Sequence, residues 1–149
     1  MPQVYAAHDG KVRELVAEKI CNNILERETT KTKSLFRIFS IGCGDGEADY
    51  GIIQLVTERL PDMEIHYVGT DIDEESCQQA RERLGSLRNV QAESFVLDFE
   101  RVDSFKVEVS PCDLVLAVHV LSYMRDIDKA LSDALKFKKP DGIIKKLLD

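Results

Sequence analysis

Leu35-Phe36-Arg37-Ile38-Phe39-Ser40-Ile41 is a short, nearly unbroken apolar run, and it stops at Gly42-Cys43-Gly44-Asp45-Gly46. Such a run reads as a strand buried on both faces, and three glycines within five positions end it in a turn. Ala48, Ile52, Leu55, Val56 and Leu60 then fall on one helical face, and Pro61-Asp62 closes the segment. Strand, glycine turn and helix in direct succession open a βαβ unit and leave few alternatives to a layered α/β fold.

The pattern recurs. Ile65–Thr70 reads as a second strand, Asp71 follows it, and Cys77, Ala80 and Leu84 mark a helix starting near Asp73. Phe95-Val96-Leu97 is the tip of a third strand, with Asp98-Phe99-Glu100 beyond. Asp113–Leu121 is a fourth, and Ile127, Ala130, Leu131, Ala134 and Leu135 give its helix. Ahead of all these, Val12, Leu15, Val16, Ile20 and Ile24 mark a helix that ends in the polar connector RETTKTKS. At the other end Pro140-Asp141-Gly142 is a turn, and Ile143-Ile144 begins a strand that Lys145-Lys146 interrupts. The expectation is an α/β doubly wound, mostly parallel sheet, truncated after four to five strands, with residues 1–149 as a single domain. Its fifth strand would be an exposed, unpaired edge, open to a homodimer that pairs two such edges.

With 149 residues, 44% of them hydrophobic, the chain supports one real core. Its 27 acidic residues against 20 basic ones give a formal net charge of −7, which opposes binding to a nucleic-acid backbone. No apolar run approaches the roughly 20 residues of a membrane span, and MPQVYAAHDG lacks the basic start and apolar stretch of a signal peptide, so a cytoplasmic location and no membrane partner are expected. Cys21, Cys43, Cys77 and Cys112 show no CxxC spacing and read as small buried residues, with no metal site expected.

In a doubly wound sheet ligands bind beyond the carboxyl ends of the strands, so the turns after the strands hold the candidates. Gly42, Gly44 and Gly46 remove three side chains and let backbone approach a ligand, presenting N–H groups at a helix start. The dinucleotide pattern GxGxxG/A needs a small residue where this chain has Glu47, so GxGxG fits a nucleoside-type ligand better than a pyrophosphate. Asp71 stands where a carboxylate accepts both hydroxyls of a ribose; the plainer alternative makes it a helix cap, a role for which Asp73 competes. Asp98 and Phe99 suit an exocyclic amine and a base, or else are a loop acid and a core aromatic. His119 is equally readable as a packed histidine, and Tyr123 or Asp126 as a helix cap.

Phe39–Glu47, Thr70-Asp71-Ile72-Asp73, Leu97-Asp98-Phe99, Cys112–Val115 with Leu121–Asp126, and Lys138–Gly142 together resemble the class I S-adenosylmethionine-dependent methyltransferases. Within these, SIGCGDGEAD and LSYMRDIDKAL most resemble the histamine N-methyltransferase group. The resemblance implies a Rossmann-like methyltransferase core with S-adenosylmethionine as cofactor. Gly42, Gly44 and Gly46 would hold its methionyl part and ribose, with Asp71 on the ribose hydroxyls and Ile72 beside it. Asp98 and Phe99 would flank adenine, Val118 and His119 would border the cofactor where substrate sits, and Tyr123 would line an amine pocket. Ser40 stands where the superfamily commonly has an acid for the cofactor's amino group. Family members also continue beyond the PDG turn with further strands, so the substrate-selecting C-terminal part is expected to be absent.

Methyl transfer from a sulfonium is an in-line displacement that needs alignment and exclusion of water, with His119 as the candidate base for an amine. The reading is a small-molecule methyltransferase, acting on a small amine. Two rivals stand beside it: a shortened, catalytically incompetent binding module, and a nicotinamide oxidoreductase, against which Glu47 argues.

Overall fold

Six strands form one sheet: β1 (Val4–Ala6), β2 (Leu35–Ile41), β3 (Glu64–Asp71), β4 (Val90–Val96), β5 (Cys112–Ala117) and β6 (Lys138–Leu148), in the order β1-β6-β5-β2-β3-β4. Three helices, α1 (Gly10–Glu28), α2 (Glu47–Arg59) and α3 (Glu74–Gly85), accompany them. The computed structural model describes residues 4–6, 10–28, 35–97, 112–117 and 138–148. Every strand pair among them is parallel.

The apolar run before the glycines becomes β2 because both of its faces find partners. Phe36, Ile38 and Ser40 alternate with Phe39 and Ile41, and all five are buried. Phe36 and Ile38 join Ile65 and Tyr67 of β3 and Leu114 and Leu116 of β5 in one cluster. Against that cluster pack Val16, Ile20 and Ile24 of α1, Ile52, Ile53 and Val56 of α2, and Ala80 and Leu84 of α3. Each such aliphatic side chain removed from water contributes about 1.5–3 kcal/mol, so helix packing rather than helix propensity holds these segments.

The strand order reverses at β2. From it the chain steps outward through β3 to β4, then returns to the opposite side for β5 and β6. The glycine turn after β2 therefore lies at the topological switch point, where an open parallel sheet forms its crevice.

Several expectations are corrected at the edges. The third strand extends back from its expected tip to Val90. β6 runs through Lys145-Lys146 without interruption, and the expected Pro140-Asp141-Gly142 turn lies within it. Because Cys112 pairs with Lys138 while Leu114 pairs with Ile143, the extra residues are absorbed as a register shift. The expected fifth strand, β6, is not left wholly unpaired on its outer side either: β1, which sequence reading missed, pairs Val4, Tyr5 and Ala6 with Lys146, Leu147 and Leu148. The fourth strand is described only to Ala117, and the expected helix over 127–135 lies outside the described residues. Among the described residues no helix is long and apolar enough to cross a membrane.

Candidate cofactor site

The end of β2 and the end of β3 come together at the crest of the sheet, with Ile41 registered against Thr70. The turn between β2 and α2 is locked to β3 by backbone: Cys43 N donates to Thr70 O at 2.8 Å. Gly42, Gly44 and Gly46 all have positive φ, at 65°, 56° and 84°. That conformation costs an ordinary L-residue roughly 1–2 kcal/mol, which is why glycine recurs here.

Gly44 and Gly46 serve different ends. A Cβ on Gly46 would lie 2.8 Å from Ala80 Cα, so its bareness brings α2 against α3. A Cβ on Gly44 would meet nothing within 4 Å. Its bare backbone borders open space beside Asp71.

Asp71 is 6% exposed at the tip of β3. Gly44 N donates to its Oδ2 at 2.9 Å and Asp73 N to its Oδ1 at 3.0 Å. Both bonds orient the side chain, and its oxygens are acceptors of the kind that the two hydroxyls of a diol require. Asp73, not Asp71, caps α3: its side chain accepts from Ser76 N at 3.1 Å and Ser76 Oγ at 2.7 Å, bonds that hold its carboxyl below the usual carboxylate range. Ile72 between them is 54% exposed and presents an apolar side chain at the same crest.

One feature differs from the expected cradle of open N–H groups. Gly46 N donates to Cys43 O at 3.1 Å and Glu47 N to Asp45 Oδ1 at 3.0 Å, so four amides of the turn, with those of Cys43 and Gly44, are satisfied internally. A phosphate recognised by helix-start amides needs those donors. A neutral sugar edge accepted by Asp71 and an uncharged face laid on Gly44 do not, so the residues present fit a nucleoside with a cationic or neutral tail.

Ser40 is buried beneath the turn, and its Oγ donates to Asp49 Oδ2 at 2.6 Å. Sequence reading missed Asp49, although its spacing to Ile52, Ile53 and Val56 places it on the buried face of α2. It also missed Tyr67, whose hydroxyl donates to the same oxygen at 2.5 Å. Burial pushes the Asp49 carboxyl up to about 6, against the lowering effect of the two hydroxyls, and pushes the Tyr67 phenol well above its ordinary range. Cys43 and Cys77, both buried, are pushed up as well. Asp98, Phe99, Val118, His119 and Tyr123 lie outside the described residues. Among the described residues no group of three metal-ligating side chains occurs.

Residues 39–144 match the family described as a methyltransferase domain. Among solved structures the chain is similar to the DszA carbon methyltransferase, at 19% identity and a TM-score of 0.70 over 90% of this chain and 34% of that one. The trans-methyltransferase CalH, in complex with SAH, matches at 22% identity and a TM-score of 0.64, covering 91% of this chain and 38% of that one. Coclaurine N-methyltransferase, bound to N-methylheliamine and SAH, matches at 17% identity and a TM-score of 0.51, over 84% of this chain and 34% of that one. The chain thus spans little more than a third of these structures' length. No curated protein matches it.

Proposed function

The chain belongs to the methyltransferase domain family, and from that premise we propose that it methylates the nitrogen of a small, histamine-like amine in the cytoplasm. The cofactor is S-adenosylmethionine. The sulfonium supplies an electrophilic methyl group whose leaving group is a neutral thioether. The observation that carries the reading is the open space over Gly44 beside the Asp71 carboxylate.

In this reading Asp71 accepts the ribose hydroxyls, and its two backbone bonds fix the orientation in which it does so. Gly42 and Gly44 provide bare backbone under the methionyl part, Ser40 lies behind them, and Gly46 sets the approach of α3. Ile72, Asp98 and Phe99 border the base. Val118 lies beside the reacting centre, and His119 and Tyr123 hold the acceptor, His119 taking the amine proton. The fold likeness to an N-methyltransferase supports a nitrogen acceptor, whereas the likeness to a carbon methyltransferase favours an activated carbon as the second reading.

A transfer assay with methyl-labelled S-adenosylmethionine, run against small amines including histamine and against carbon acids, tests the proposal. Labelled N-methyl product is expected. Product from carbon acids alone, or tight cofactor binding without transfer to any acceptor, contradicts it.

A further inference from the structure

Beneath the glycine turn lies a carboxylate that the proposed transfer does not use. Asp49, the third residue of α2, is fully buried and joins three elements: Ser40 of β2 and Tyr67 of β3 both donate to its Oδ2. Its Oδ1 is buried with no hydrogen-bond partner. A buried carboxylate held by neutral hydroxyls alone is costly to retain, so it calls for a role.

The cluster is the floor of the turn. Ser40 lies two residues before Gly42, and its carbonyl accepts from Thr70 Oγ1 at 2.7 Å, next to Asp71. A Cβ on Gly69 would lie 3.0 Å from the Tyr67 hydroxyl and 3.1 Å from Cys43 Sγ. A side chain there would press on both the phenol and the Cys43 thiol. Displacing Ser40 or Tyr67 therefore moves the support of both Cys43 and Asp71.

We infer that Asp49 is a positioning residue for the cofactor turn: its ionised carboxylate anchors Ser40 and Tyr67 beneath Gly42–Gly46, and cofactor affinity falls when it takes up a proton. The inference rests on reading the turn as the cofactor site. The ionised form accepts both hydroxyls and sits in the first turn of α2, where the helix dipole favours an anion. A protonated carboxyl is itself a donor, whereas the buried Oδ1 makes no hydrogen bond. On Oδ2 the proton would meet two donors, so one hydroxyl must turn away. Burial brings this change up to about pH 6. Among the described residues, the other titratable groups around the cluster are Cys43 of the turn, Tyr67 and Asp71 of β3, and Cys77 of α3. Cys43, Tyr67 and Cys77 are all pushed upward and stay neutral in this range.

The test follows the backbone amides of Gly42, Gly44 and Gly46 by NMR between about pH 5 and about pH 7.5, and SAH affinity by calorimetry over the same range, in the wild-type chain, Asp49→Asn and Tyr67→Phe. Wild-type amides should shift with a common midpoint near 6, and SAH affinity should fall about tenfold at the acid end, following the ionised fraction. Asp49→Asn should remove both effects. Tyr67→Phe, which deletes a bond to the anion, should raise the midpoint, and it carries the test if Asp49→Asn does not fold. Wild-type amides that do not titrate, the same midpoint in Asp49→Asn, or an unmoved midpoint in Tyr67→Phe overturns the inference. The amide titration needs neither cofactor nor acceptor, so it is decided separately from the failure of any amine to be methylated.

Discussion

Above the glycine turn Asp71 accepts two backbone N–H groups at the rim of the sheet, whereas below it Asp49 accepts two side-chain hydroxyls and is wholly buried. Backbone bonds depend on the path of the chain, so the upper carboxylate is oriented by the fold itself. The lower one depends on its own charge. One side of the turn is built to receive a ligand and the other to hold the turn in shape, and the same glycines serve both.

The largest effect expected from disturbing this arrangement is at Gly46. A methyl group there meets the α3 backbone at 2.8 Å and carries a left-handed φ, so Gly46→Ala should lose about 2–4 kcal/mol in urea unfolding. Gly44→Ala should cost only about 1–2 kcal/mol of stability, from its φ alone, yet weaken SAH binding more than its stability loss suggests. Equal stability losses would erase the division of labour between the two glycines.

Next is the pH dependence of stability. The Asp49 carboxyl is raised from 3.8 to about 6 in the folded chain, so the native state holds this proton more tightly than the unfolded one. Its contribution is fully present below about pH 4 and is lost as pH rises through about 6, an amount on the order of 3 kcal/mol. Wild-type stability measured against Asp49→Asn should therefore improve on acidification. The opposite slope would mean that Asp49 is stabilised as an anion beyond what two hydroxyls provide.

A smaller change sharpens the same contrast. Tyr67→Phe removes a hydrogen bond to a charged acceptor and should cost about 1.5–3 kcal/mol above pH 6, and less below it, where the acceptor is neutral. Chemical denaturation at the two pH values measures the difference.

The half of the molecule around this turn was largely legible in the sequence. β2, α2, β3 and α3 follow one another in the chain, each has a clear apolar period, and the glycines and Asp73 mark their junctions. Of the strands paired from distant parts of the chain, β5 was legible and β6 only from Ile143, whereas β1 was missed: β1 has three residues, and β6 carries Pro140, Gly142 and four lysines, so pairing with β5 and β1 rather than local pattern makes them strands over their full length. The Asp71 position was readable because strand ends hold ligand residues in such sheets. The Asp49–Ser40–Tyr67 cluster was not, because three separate segments build it, although the periodicity of α2 already turned Asp49 inward. The internal bonding of the turn's amides also escaped the sequence, since spacing alone gives no hydrogen-bond partners.

The most direct test of the cofactor assignment is calorimetric titration of SAH into the wild-type chain and Asp71→Ala. If the carboxylate accepts both ribose hydroxyls, the substitution should weaken binding by about 1.5–3 kcal/mol. Unchanged affinity in a folded Asp71→Ala protein would contradict the account.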